Sequence, residues 1–134
     1  MPAAALSIRV PAEAEQMAPI RAELADYAHV FGIAKVDVED AQTIVTEACG
    51  NSIRYAYGDA PGGPMEVDAS VEDGELRLTI RDFGSGIGRR STATLPGLHA
   101  GLAIIGALSK SFRLTSRRGR GTELEARLSL SGPA

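Results

Sequence analysis

Glu47 and Asn51 stand four residues apart in a stretch whose apolar spacing is helical, so a carboxylate and a carboxamide share one helix face. Two neighbouring oxygen donors of that kind suit a hard cation such as magnesium, which normally reaches a protein together with substrate phosphates. Further along, Asp82-Phe83-Gly84-Ser85-Gly86 follows an apolar run. A carboxylate at a strand end accepts the exocyclic amine hydrogen of a purine where glycines such as Gly84 and Gly86 leave room for the ring. A third cluster, Gly97-Leu98-His99-Ala100-Gly101, opens another apolar segment. The unpaired N–H groups at a helix start attract phosphate through hydrogen bonds and the helix dipole. Base, metal and phosphate contacts in one chain together read as a nucleotide pocket.

The elements that must position these groups are legible in the spacing. Ala4 to Val10 alternates and reads as a first strand, ended by Pro11. Met17, Ile20, Leu24, Tyr27 and Phe31 recur at intervals of three and four, which predicts a helix over 12–31 with Gly32 as its stop. Asp37 is the expected N-cap of a second helix, traced by Ala41, Ile44, Val45, Ala48 and Ser52 and running to about Tyr57. The breaker-rich stretch from Gly58 to Pro64 ends it. Met65 to Val71 and Glu75 to Arg81 alternate around Asp73-Gly74, the strongest short hairpin signal, with Leu76, Leu78 and Ile80 as the inward set. Arg89 to Leu95 reads as a connecting loop, and a helix is expected over 101–109. Strands over 111–116 and 122–130 close the chain around a basic turn. The order strand, helix, helix, hairpin, loop, helix, hairpin predicts an α+β two-layer sandwich, a mostly antiparallel mixed sheet with its helices on one face.

The 134 residues fit a single domain over 1–134 with one hydrophobic core. A net charge of −3 argues against a mainly electrostatic nucleic-acid binder, because neutralising several phosphates calls for a clustered positive field. The single cysteine, Cys49, excludes an internal disulfide and suits a reducing cytosol. No Cys/His set has the spacing of a structural zinc site. Neither a secretory signal nor a run of ~20 apolar residues is present, so a cytoplasmic protein that does not enter a membrane is expected.

Together these motifs resemble the ATP site of the GHKL superfamily, the Bergerat fold shared by gyrase-type ATPases and histidine kinases. Thr46 to Tyr57 is similar to the N box, Arg81 to Ile87 to the G1 box, Pro96 to Ile105 to the G2 box, and Gly119 to Leu124 to the closing glycine-threonine strand. Within the superfamily, the Glu-Ala-Cys-x-Asn wording and the Ala-Tyr end of the helix are most similar to the bacterial anti-sigma-factor serine kinases. The resemblance implies that Asn51 binds magnesium and that Asp82 reads adenine with Thr122 nearby. Gly84, Gly86, Gly97 and Gly101 would make room for ATP or form its lid, and Glu47 would be the general base toward a substrate serine. It also implies two partners, a sigma factor and a STAS-type anti-anti-sigma protein. Dimer formation is common in that family, although no surface stripe in the sequence identifies an interface.

Two departures stand out. The middle position of the usual Gly-x-Gly-x-Gly is His99, which adds a side chain where the family has none. The commoner His of the N box is replaced by Tyr55, read as packing variation. A different class of protein therefore stays open, a non-catalytic binding module with weakened nucleotide affinity, against which intact Glu47, Asn51 and Asp82 argue. A detached histidine-kinase ATPase domain is disfavoured, since no phospho-accepting helix hairpin precedes the motifs.

Overall fold

Pro19 governs where the first helix begins. A proline lacks the N–H that a deeper helical position requires, so it is accommodated only in the first turn. A computed structural model of the protein describes residues 5–57, 62–84, 98–117 and 119–131, with the backbone alone at 98, 99 and 117. In it β1 (Leu6–Pro11) is followed by a short 3-10 turn (Ala14–Gln16), and α1 spans Met17–Val30, with Pro19 in its first turn. The helix therefore starts later than the apolar spacing alone predicts. It ends as expected: Gly32 adopts φ +66, its N–H bonds the His29 carbonyl, and the Ile33 N–H bonds the Ala28 carbonyl. That bond pair is a Schellman motif.

The second helix, α2 (Lys35–Tyr55), corrects the N-cap expectation. Ala34, in extended backbone, precedes it with no side-chain cap, and Asp37 lies inside the first turn. The Asp37 carboxylate is buried and accepts hydrogen bonds from the backbone N–H (2.8 Å) and the hydroxyl (3.1 Å) of Ser131. An acid that favours the positive helix end is thus also the tie for the chain leaving the last strand.

β2 (Pro64–Glu72) and β3 (Glu75–Asp82) form the predicted hairpin. Asp73 and Gly74 have φ of 52 and 74, the double positive φ that Asp-Gly supplies to a two-residue turn. After α3 (Leu98–Leu108) come β4 (Ser111–Arg117) and β5 (Gly121–Ser129). The sheet order is β1-β2-β3-β5-β4, and the antiparallel character expected extends to every ladder. Inserting β5 between β3 and β4 aligns Asp82 with Thr122.

One face of the sheet is apolar. Met65, Val67 and Ala69, then Leu76, Leu78 and Ile80, then Leu124, Ala126 and Leu128 are buried against Ile20, Leu24, Ile44, Val45, Cys49 and Ile105 of the helices. The other face is polar. Arg9, Glu66, Arg81 and Glu123 are cross-strand neighbours there and form a row of ion pairs across four strands.

Candidate functional site

The site is organised along α2. Successive turns of that helix present Glu47, then Asn51 and Ser52, and its C-cap Ala56 lies one turn beyond. Residues four apart share a face, so Glu47 and Asn51 line up. Ser52, one residue further round, turns toward the sheet and is buried. There its hydroxyl donates to Asp82 Oδ2 at 2.8 Å.

Asp82, the last residue of β3, is 4% exposed. Its Oδ1 accepts the backbone N–H groups of Gly84 and Thr122, both at 3.2 Å. Three donors satisfy a carboxylate that would otherwise be costly to bury. A carboxylate offers about four acceptor positions, and donors among the described residues take three of them, one on Oδ2 not being taken by any of these. Two glycines make this packing possible. A Cβ on Gly84 would sit 2.0 Å from the Ala56 carbonyl oxygen, and one on Gly121 would sit 2.1 Å from the Asp82 carbonyl oxygen. Gly121 also holds φ +87. The Thr122 hydroxyl itself lies 3.3 Å from Ser116 Oγ, so it is the Thr122 backbone that holds Asp82.

The other half of the site is looser. Gly101 lies in the first turn of α3, not at its entry, because nothing from Leu98 to Ala100 breaks a helix. The unpaired N–H groups therefore belong to residues preceding it. What Gly101 contributes is close approach: a Cβ there would meet Glu47 Oε2 at 3.0 Å and the Asn51 carboxamide at 3.7 and 3.9 Å. Glu47 and Asn51 are half-buried. Asn51 Oδ1 accepts from the Arg54 guanidinium at 3.0 Å, which also lies over the Tyr55 ring. Among the described residues Glu47 has neither a hydrogen bond nor an ion pair.

The structure thus brings Glu47, Asn51 and Gly101 together, and separately Asp82, Gly84 and Thr122, with α2 common to both groups. The expectations at Gly86, Gly97 and the His99 side chain fall outside the described residues. Sequence reasoning assigned no role to Ser52, Tyr57 or Gly121. The signal for Ser52 was present, since a hydroxyl at a core-periodic helix position needs a buried partner. The Tyr57 hydroxyl accepts from the Phe83 N–H at 2.9 Å and donates to the Pro64 carbonyl. Burial above all, and the Asp82 charge in addition, raise its pKa above the usual tyrosine value. Cys49, between Glu47 and Asn51, points into the core, and burial pushes its thiol up to about 12.

As to a cation, no group of three or more His, Cys, Asp or Glu side chains able to hold a metal occurs among the described residues. The oxygen donors of Asn51 and Glu47 nonetheless fit magnesium, which is commonly held by one or two protein oxygens with phosphate and water. A separate groove between α1 and α2 is lined by Arg21, Glu39, Gln42, Thr43 and Thr46. Its polar groups largely bond one another, Gln42 Nε2 to the Arg21 carbonyl at 3.0 Å and the Thr46 hydroxyl to the Gln42 carbonyl at 2.7 Å.

A five-stranded antiparallel sheet covered on one face by helices, with an acid-amide pair on the middle helix, is the architecture of the histidine-kinase-like ATPases. The chain belongs to the histidine kinase-like ATPase domain family, whose model matches residues 10–128. It is 32% identical over 79 residues to the serine-protein kinase RsbW of Bacillus velezensis, a match covering 59% of this chain and 49% of that protein. The chain spans about half the length of the curated relatives it matches. Among solved structures, it superposes on the RsbU and RsbW domains of Rv1364c from Mycobacterium tuberculosis with TM-score 0.77 and 26% identity, over 99% of this chain and 34% of that one. The histidine kinase domain of the blue-light activated histidine kinase EL346 from Erythrobacter litoralis shares the fold, with TM-score 0.60 at 20% identity over 87% of this chain and 60% of that one. No helix among the described residues is long and apolar enough to cross a membrane.

Proposed function

We propose that this protein is a cytoplasmic, ATP- and magnesium-dependent protein serine kinase that doubles as an anti-sigma factor. Its substrate is a serine of a STAS-type anti-anti-sigma protein, and its sequestered partner is a sigma factor. The observation that supports this reading most is Gly101, whose missing side chain leaves Glu47 and Asn51 side by side at the start of α3, on the helix that also carries Ser52 to the buried carboxylate of Asp82.

In this reading the remaining acceptor position on Asp82 Oδ2 takes the purine amine, and the close packing that Gly84 and Gly121 permit holds that carboxylate in place. Asn51 would hold magnesium, which when bound would supply neutralisation of the charge on the transferring phosphate. Glu47 accepts the proton of the serine hydroxyl as its oxygen bonds to the γ-phosphorus and the bond to the departing ADP oxygen breaks. Positioning and charge neutralisation are most of what phosphoryl transfer asks of a protein. The serine-protein kinases of the RsbW type, matched over their shared segment, support the assignment of the transferred group.

The test is a pull-down from the native cell with and without ATP, followed by phosphosite mapping of the retained proteins. A sigma factor and a small STAS protein carrying phosphoserine are expected. Retention that ignores nucleotide, with no phosphoserine formed, would overturn the proposal.

A further inference from the structure

Phe83, the residue that follows Asp82 in the turn after β3, is not part of the buried apolar core. The Phe83 ring is 43% exposed, and the guanidinium of Arg9 lies over it at 5.3 Å. What holds this turn is its backbone: the Gly84 N–H goes to Asp82 Oδ1, and the Phe83 N–H goes to the Tyr57 hydroxyl. Tyr57 lies just past the end of α2, and the same hydroxyl donates to the Pro64 carbonyl at the start of β2. Its ring fills space that only a glycine can leave free, since a Cβ on Gly63 would come within 2.3 Å of it. One phenol therefore links the end of α2, the start of β2 and the turn after β3.

We infer that Tyr57 is a positioning residue for nucleotide binding: it pins the Phe83 amide so that the turn beyond Asp82 is set before ligand arrives. This rests on the nucleotide reading given above. The physical case is that a tyrosine hydroxyl both donates and accepts, which no apolar ring of the same size reproduces. Phenylalanine at this position keeps the packing on Gly63 and loses both bonds, leaving the Phe83 N–H without its partner. A single net hydrogen bond is worth about 1 kcal/mol, close to a fivefold change in an equilibrium constant. Glu47 lies more than two helical turns away, so the transfer step is outside the reach of the change.

The experiment compares wild type with Tyr57→Phe by amide hydrogen exchange and by ADP titration in a calorimeter. Exchange at Phe83 should accelerate about fivefold while the core amides of Leu78 and Leu124 keep their rates, and the ADP dissociation constant should rise about fivefold with kcat at saturating ATP unchanged. Gly63→Ala keeps the hydroxyl but displaces the ring, and it should shift both readings the same way. Unchanged exchange at Phe83, or faster exchange with unaltered ADP affinity, overturns the inference. Absence of ADP binding by the wild type would instead overturn the nucleotide reading, and Phe83 exchange would still decide whether Tyr57 pins the turn.

Discussion

Asp82, packed against α2 from the end of β3, and Glu47, carried on α2 itself, are both carboxylates, yet their surroundings are opposite. Asp82 is nearly inaccessible and accepts from Ser52, Gly84 and Thr122. Glu47, ~7.5 Å of helical rise before Ser52 on α2, is half-buried and has no bonded partner among the described residues. One wall of the site holds its carboxylate by three bonds, and the carboxylate of the other has no bonded partner among the described residues, while its neighbour Asn51 is bonded to Arg54. The division suits the two tasks proposed for these residues. Recognising a flat base rewards a rigid acceptor, because no ordering cost remains to be met on binding. A base for proton transfer must have its lone pairs available to the incoming hydroxyl.

If that contrast is right, damage to the two walls should differ in kind. The largest effect on folding is expected at Gly121→Ala, where a Cβ would meet the Asp82 carbonyl and φ is +87. Strain and overpacking together should cost about 3 kcal/mol, visible as a lower denaturant midpoint along with lost nucleotide binding. Glu47→Ala should leave the midpoint where it is and retain ATP, yet slow serine phosphorylation by about 10²–10⁴-fold in a radiolabel transfer assay. Normal transfer by that variant would remove Glu47 as the base and the contrast with it.

Ser52→Ala sharpens the comparison on the rigid side. It removes one of three donors to Asp82, and chemical denaturation should register a loss of about 1–2 kcal/mol with weaker nucleotide binding. The smallest effect concerns Cys49, between the two walls. Its thiol is raised from 9.0 in the unfolded reference to about 12 by burial. A raised folded-state pKa means that the associated stability is fully present below pH 9 and is lost as pH climbs from there toward 12. Iodoacetamide at pH 8.5 should label Cys49 only in denaturant, and rapid labelling of the native protein would show that α2 opens readily.

Much of the scaffold of both walls was legible because its signals are local. Apolar intervals of three and four located α2 and placed Glu47 and Asn51 on one face, and Asp73-Gly74 located the β2–β3 hairpin through the positive φ both residues adopt. The bonds that finish the wall were not legible, because they join residues far apart in the chain. Thr122 reaches Asp82 only because β5 lies beside β3, with β4 outside it, a sheet order no local pattern encodes. Asp37 shows the same limit: its local fitness as an N-cap was real, but Ser131, distant in sequence, claims the carboxylate. At Gly101 the spacing indicated a helix entry, whereas the helix begins at Leu98 and the glycine serves close approach to Glu47 instead.

Asp82→Asn tests with least disturbance whether the buried Asp82 carboxylate reads an adenine amine. The amide keeps the side-chain volume, its oxygen still accepts from Gly84 and Thr122, and its NH₂ donates to the Ser52 hydroxyl, but a donor replaces the acceptor facing the purine. Calorimetric titration of both proteins with ATP and magnesium should give saturable binding to the wild type and none to a variant that remains folded. Equal affinity in the two would contradict the account.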